Sequence, residues 1–109
     1  MVGFVIRDWE LQPFEEDQAP VHVHHAGEEA FICLRGDLEV LVGDERRRVE
    51  PGHHLVVGRG TPHTFTSREG AHVLAVMTPE IAELIDGLHA PMDDLERASL
   101  WARCKSSLI

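Results

Sequence analysis

A chain of 109 residues has room for one ordinary domain and not for two. With 43% apolar residues and charges dispersed rather than blocked, it can bury a core and is not a disordered polymer. A formal net charge of -9 argues against nucleic acid, which calls for a surplus of Lys and Arg, and against an anionic membrane surface.

Residues 1–78 read as short strands punctuated by turn residues. Strands are predicted over Gly3–Asp8, Val21–His25, Ala30–Leu34, Leu38–Val42, Arg46–Val49, Leu55–Val57, His63–Ser67 and Val73–Met77, all rich in Val, Phe, Leu and Thr. Arg35-Gly36-Asp37, Val42-Gly43-Asp44, Glu50-Pro51-Gly52 and Gly58-Arg59-Gly60 turn the chain between them. Arg46-Arg47-Arg48 lies among Asp44, Glu45 and Glu50 and reads as a solvated hairpin strand, not a phosphate patch. Short strands with no helix between them imply an antiparallel sandwich or barrel.

Residues 79–109 read as a helical extension of the same domain. Thr78-Pro79-Glu80 is a helix start, with a hydroxyl as N-cap, Pro at the first position and an acid near the positive dipole end. Ile81, Leu84, Ile85 and Leu88 form one apolar stripe, and Ala90-Pro91 ends it. A second helix is expected from about Asp93 to Cys104, with Leu95, Ala98, Trp101 and Ala102 on one side. These stripes are expected to pack on the outside of the barrel or on a partner subunit.

No apolar run approaches the ~20 residues that span a bilayer. Asp8 and Glu10 interrupt the start of the chain too early for a signal peptide. Cys33 and Cys104 are far apart and outside any C-x-x-C pairing, so a reduced, cytoplasmic protein is expected.

The chemistry concentrates in His22-Val23-His24. Residues two apart on a strand share a face, so both imidazoles project together. Glu29 opens the next strand, on one face with Phe31 and Cys33, and His63 opens a later one. Three imidazoles and a carboxylate suit one divalent transition metal: Fe, Ni, Cu or Zn by the nitrogens, and Mn by the hard oxygen. A lone H-x-H is common by chance, and this chain has eight histidines.

Spacing sharpens this reading. The segment His22-x-His24-x4-Glu29-x6-Gly36 resembles the first motif of the cupin superfamily, and Gly52-x5-Gly58-x-Gly60-x2-His63-x3-Ser67 resembles the second. Three scaffold positions depart: Glu16 stands in place of Gly, Gly58 in place of Pro and Ser67 in place of Asn. The resemblance covers about residues 20–78. It implies an all-β fold, an antiparallel double-stranded β-helix or jelly-roll barrel with a C-terminal helical tail. It also implies His22, His24, Glu29 and His63 as metal ligands. Glu28 fits the alternative spacing from His24, but Gly36 then falls one place late. His25, His53 and His54 are expected to face solvent, and the register of His72 stays open.

Such a centre keeps positions open for substrate, oxygen or water, and Glu29 can serve as a general base if it detaches. The resemblance implies dioxygenases, isomerases, cyclases, decarboxylases, lyases and non-catalytic binding modules, among which fold does not choose. The expectation is an oxygenase or dioxygenase acting on a small organic substrate. Phe31, Cys33, Val40 and Val42 are expected to line its pocket. The alternatives are a redox-neutral cyclase, isomerase or lyase, and a small-molecule-binding protein without turnover. With no Tyr in the chain, no mechanism can use a phenol side chain. A homodimer is expected, because a sheet edge and an apolar tail leave surface to cover.

Overall fold

Period-two alternation of apolar residues builds eight strands before the helices begin: β1 Val5–Leu11, β2 His22–His24, β3 Glu29–Gly36, β4 Leu38–Val42, β5 Glu45–Val49, β6 His54–Val57, β7 His63–Thr66 and β8 Ala71–Met77. The computed structural model describes residues 3–17 and 19–109. Two helices follow, α1 Pro79–Leu88 and α2 Asp94–Arg103, and then a last strand, β9 Ser106–Leu108.

The strands pair antiparallel in two sheets, one ordered β1-β8-β3-β6 and the other β5-β4-β7-β2-β9. The expected all-β architecture with a helical tail is present. Ala71, Val73, Ala75 and Met77 of β8 and Phe31 and Cys33 of β3 point inward, and meet Leu38, Val40, Val49 and Val57. Burying each of the larger aliphatic side chains stabilises the fold by roughly 1.5–3 kcal/mol.

Four features differ from the sequence reading. The second helix, Asp94–Arg103, buries Leu100, with Trp101 half-buried, while Leu95, Ala98 and Ala102 of the expected apolar side are exposed. β1 begins at Val5 and runs past Asp8 to Leu11, because every residue of it finds a partner in β8, and Trp9 and Leu11 pack on the core. β9 has no periodic signal at all; Ser106-Ser107-Leu108 becomes a strand by pairing with β2, His24 opposite Ser106. Thr78 occupies the N-cap position of α1, yet its hydroxyl makes no cap. It accepts the Glu28 N–H at 3.4 Å, while the Thr78 N–H donates to the Glu28 carbonyl at 3.1 Å. The helix start is thus tied to the start of β3.

The helices do not merely lie on an outer wall. Ile81 and Ala82 of α1 join the main core. Leu84 packs with Leu100 and Cys104 in a second cluster. Asp93 caps α2 by accepting the Glu96 N–H at 2.7 Å. No helix among the described residues is long and apolar enough to cross a membrane.

The departures at the scaffold positions find local solutions. Ser67 is fully buried, and its hydroxyl donates to the Asp37 carbonyl while its own carbonyl accepts the Phe14 N–H at 2.7 Å. Thr64 and Thr66, on the same strand end, donate to the carbonyls of Ala19 and Glu16 at 2.6 and 2.5 Å. These hydroxyls hold Phe14, Glu16 and Ala19 against β7 and its end.

Gly36 ends β3 at φ +92°, and a Cβ there would lie 2.2 Å from the Gly70 carbonyl oxygen. Both the left-handed backbone and the backbone contact demand glycine. Gly36→Ala is therefore expected to lose at least about 2 kcal/mol of stability in urea unfolding. Gly43→Ala, at a left-handed turn with open space around it, should lose less.

Candidate metal centre

β2 carries His22 and His24 on one face, and β7 begins with His63, which pairs directly with His22 across the sheet. Glu29 comes from the opposite sheet, at the first position of β3. The two motifs therefore meet only because the sheets face each other. One potential ligand atom from each of the four residues lies within 4.8 Å of all the others. That spread is close to the ~4.2 Å spanned by two ligands at ~2.1 Å on opposite sides of one ion.

The imidazoles are held by their rear nitrogens. His22 Nδ1 lies 2.8 Å from the Pro20 carbonyl and His63 Nδ1 lies 2.9 Å from the Thr61 carbonyl. A carbonyl can only accept, so both Nδ1 atoms carry the proton. His24 Nδ1 lies 2.7 Å from Ser106 Oγ, whose own proton goes to the Cys104 carbonyl at 3.2 Å. Ser106 thus accepts from His24. All three Nε2 lone pairs are left to face inward, as metal-ligating histidines require.

There they meet Glu29. Its Oε1 lies 2.5 Å from His63 Nε2 and 3.2 Å from His24 Nε2. A lone pair and a carboxylate oxygen repel at that distance unless a cation stands between them, either a proton or a metal. Burial pushes the Glu29 carboxyl up, but in the metal-free centre a proton shared with His24 or His63 outweighs it and holds the group at about 2. Burial lowers His22 to about 4, with the neighbouring His63 and His24 charges acting the same way against the Pro20 hydrogen bond. The centre thus offers neutral nitrogen at His22 and ionised oxygen at Glu29 at neutral pH. With two face-sharing histidines, a third from β7 and no thiolate, the donor set fits a borderline divalent metal with open positions.

Glu28 is placed otherwise. It is exposed and accepts from Arg59 at 3.1 Å. His25 is exposed and bonded to Ser107 at 2.7 Å, His53 and His54 are exposed, and His72 pairs with Asp8 at 2.6 Å on the outward face. Arg46, Arg47 and Arg48 each have a carboxylate within 3.4 Å.

A cavity of about 400 Å³ opens above the centre, with His22, His24 and Glu29 in its lining. Its apolar walls are Trp9, Phe65, Leu84, Ile85, Leu88 and Trp101. Trp9 and Phe65 stack with ring centroids 5.9 Å apart, and Trp101 meets His22 edge-on at 6.1 Å. The residues expected to line the pocket are elsewhere. Phe31, Cys33 and Val40 are buried in the core and Val42 packs against it. Phe31 stands behind the cavity wall, against Trp9 and Phe65. Burial raises the Cys33 thiol above its ordinary range, so it is no thiolate at neutral pH.

Of the residues the sequence reading left out, Phe65 had a signal, since it lies two positions after His63 on the same face. Trp101 and Ser106 had none, because each arrives from the C-terminal segment by tertiary packing.

Two outcomes follow. Glu29→Gln should cut metal affinity at least tenfold in calorimetric titration, Ser106→Ala should cost roughly tenfold through loss of the His24 anchor, and Glu28→Gln should leave affinity unchanged. For metal-free protein, His22 binds a proton less readily folded, at about 4, than at its ordinary 6.5, so the unfolded state takes up more protons in that window. Stability should therefore fall as pH drops from 6.5 to 4. It should fall again below 4.5 as Glu29, held at about 2, protonates first in the unfolded chain. Urea unfolding across this range checks the slope, and His22→Asn should flatten its upper part.

Comparison with known proteins agrees with this geometry. The cupin domain family matches residues 8–78, most of the barrel. Quercetin 2,3-dioxygenase of Bacillus subtilis (strain 168) is 30% identical over 82 residues, which is 73% of this chain and 24% of that protein. The chain thus spans about a quarter of the length of that curated relative. The solved structure of TT1209 from Thermus thermophilus superposes with a TM-score of 0.61 at 29% identity, covering 70% of this chain and 72% of that one. KdgF from Halomonas sp. gives 0.62 at 22% identity, with coverage of 70% and 69%. A sugar phosphate isomerase from Silicibacter pomeroyi gives 0.61 at 23%, with coverage of 69% and 50%, and shares the fold alone. With the barrel topology, the motif spacing and the convergence of His22, His24, Glu29 and His63 in place, the chain belongs to the cupin family.

Proposed function

We propose that this protein is a metal-dependent oxygenase, of the dioxygenase kind, acting on a small enolisable or hydroxylated organic molecule. The observation that carries the reading is the position of three imidazole Nε2 atoms and one ionised carboxylate at the floor of an apolar cavity. His22, His24, Glu29 and His63 would hold the metal. A redox-active ion bound there supplies oxygen activation, and a redox-inert one supplies a Lewis acid.

The chain's own residues do the rest. The Pro20 and Thr61 carbonyls and the Ser106 hydroxyl keep three imidazoles oriented without rearrangement. Trp9, Phe65 and Trp101 exclude water from the space above them, which strengthens every polar interaction below. Glu29 faces that space and, once detached from the metal, would be placed to take the proton of a hydroxyl group delivered down the cavity. The distant likeness to quercetin 2,3-dioxygenase supports the oxidative reading.

The redox-neutral alternative, a cyclase, isomerase or lyase, draws on the same placement of Glu29 beside a substrate proton. Reconstitution with Fe, Mn, Ni, Cu or Zn, followed by oxygen uptake against a panel of enols and phenols, separates the readings. Uptake is expected with at least one redox-active ion and none with Zn. Product formed with Zn and without oxygen consumption would make the protein redox-neutral. Tight ligand binding with no product under any metal would make it a binding module.

A homodimer remains our proposal for the assembly. The outward face of the four-stranded sheet carries Ile6, Val76, Ala30 and Val56 in one row across all its strands. Ile6 is 60% and Val56 57% exposed, which is unusual for aliphatic side chains set side by side. A second copy of the same face would cover the row by a two-fold. Sedimentation should show a dimer at micromolar concentration, and Val56→Asp should shift it to monomer; a monomeric wild type would refute the pairing.

A further inference from the structure

The cavity has a floor built for cations and walls without any. No Lys or Arg lines it among the described residues. Asp8 and Glu10 border it, but they alternate with the inward Trp9 and Leu11 and turn their carboxylates the other way. Asp8 binds His72 at 2.6 Å and Glu10 accepts from Arg35 at 3.0 Å. The polar side chains that remain are His22, His24 and Glu29 at the floor and the exposed His89 at the end of α1. Everything between is Ala19, Pro20, Leu11 and the aromatic and aliphatic walls.

Such a space treats the two ends of a ligand differently. A single anionic or hydroxyl oxygen finds the metal. A second anionic group farther up finds no Lys or Arg, only the exposed His89 at the rim and the indole N–H groups of Trp9 and Trp101, and its desolvation goes largely uncompensated. A flat apolar body, by contrast, meets Trp9 and Phe65 on one side and Trp101 above His22. Trp101, Leu84, Ile85 and Leu88 all come from the two C-terminal helices, beyond the segment that matches the family.

Resting on the reading that the metal keeps a position open toward the cavity, we propose that this chain selects molecules with one metal-binding oxygen group and a neutral apolar, preferentially aromatic body. The helices α1 and α2 are the selecting element, and doubly anionic molecules such as phosphorylated sugars are excluded.

The test uses the full-length, Zn-loaded protein, so that binding is read without turnover. Acetohydroxamate, benzohydroxamate and 4-carboxybenzohydroxamate share one metal-binding head and differ in the body. Calorimetry gives their affinities. Emission provides a second signal, because both tryptophans of the chain, Trp9 and Trp101, line the cavity. Benzohydroxamate is expected to bind at least tenfold more tightly than acetohydroxamate, and the 4-carboxy compound at least tenfold more weakly than benzohydroxamate. Trp101→Ala should erase most of the aromatic preference, lowering benzohydroxamate affinity more than acetohydroxamate affinity, and Trp101→Phe should retain it. Leu88→Arg, which adds a cation to the wall, should improve the carboxylate relative to its parent.

The wild-type ranking alone decides the matter even where a variant fails to fold. Equal affinity for benzohydroxamate and acetohydroxamate, or tighter binding of the 4-carboxy compound, would overturn the selection while leaving the open metal position intact. Failure of all three to bind Zn-loaded protein would overturn the open position, and the selection with it.

Discussion

The orientation of three imidazole rings is the constraint on which the rest of this structure turns. Each Nδ1 proton is committed to an oxygen behind the ring, from Pro20, Thr61 or Ser106. Each Nε2 is therefore obliged to point its lone pair at the same small space that Glu29 enters. Buried carboxylate and converging lone pairs repel one another and are poorly solvated there, a combination costing several kcal/mol unless a cation compensates. The scaffold holds the rings in an electrostatically unfavourable cluster that one bound cation would relieve.

That arrangement comes from both sheets at once. His22 and His63 are cross-strand partners in the five-stranded sheet, while Glu29 heads a strand in the four-stranded one. The space between the sheets sets the reach of the carboxylate. Its packing by Phe31, Leu38, Val40, Val73 and Met77 is as much part of the centre as the ligands are. Shifting β3 by one residue would turn Phe31 and Cys33 outward and put exposed Glu28 in place of Glu29. The buried face of β3 is what forbids that shift.

The C-terminal segment divides the labour differently. Residues 8–78 match the family and supply all four metal-directed side chains. Residues 79–109 supply the anchor of His24 through Ser106 and part of the apolar cavity wall through Leu84, Ile85, Leu88 and Trp101. The four His/Glu side chains and this part of the apolar cavity wall are thereby carried on separate stretches of chain. A change in the helices can reshape the cavity without disturbing the four His/Glu side chains, provided β9 stays paired with β2.

By itself the sequence determined the fold class and the membership of the ligand cluster. Strand alternation and turn residues are local properties and gave the shared face of His22 and His24, while Glu29 and His63 were picked out by the resemblance to the cupin motifs. The choice between Glu28 and Glu29 came from the cupin-like spacing back from Gly36, with strand alternation in agreement. Tertiary structure decided the cavity. Phe31, Cys33, Val40 and Val42 were inward-facing, as alternation requires, but inward residues in the middle of a sandwich make core, and only those near its open end face a ligand. Trp9 reached the cavity because β1 extended along β8. Trp101 and Ser106 reached it because α2 folded back and Ser106-Ser107-Leu108 added to an exposed strand edge. No local pattern encodes such arrivals; they depend on which edge is unpaired and which space is unfilled once the barrel has formed.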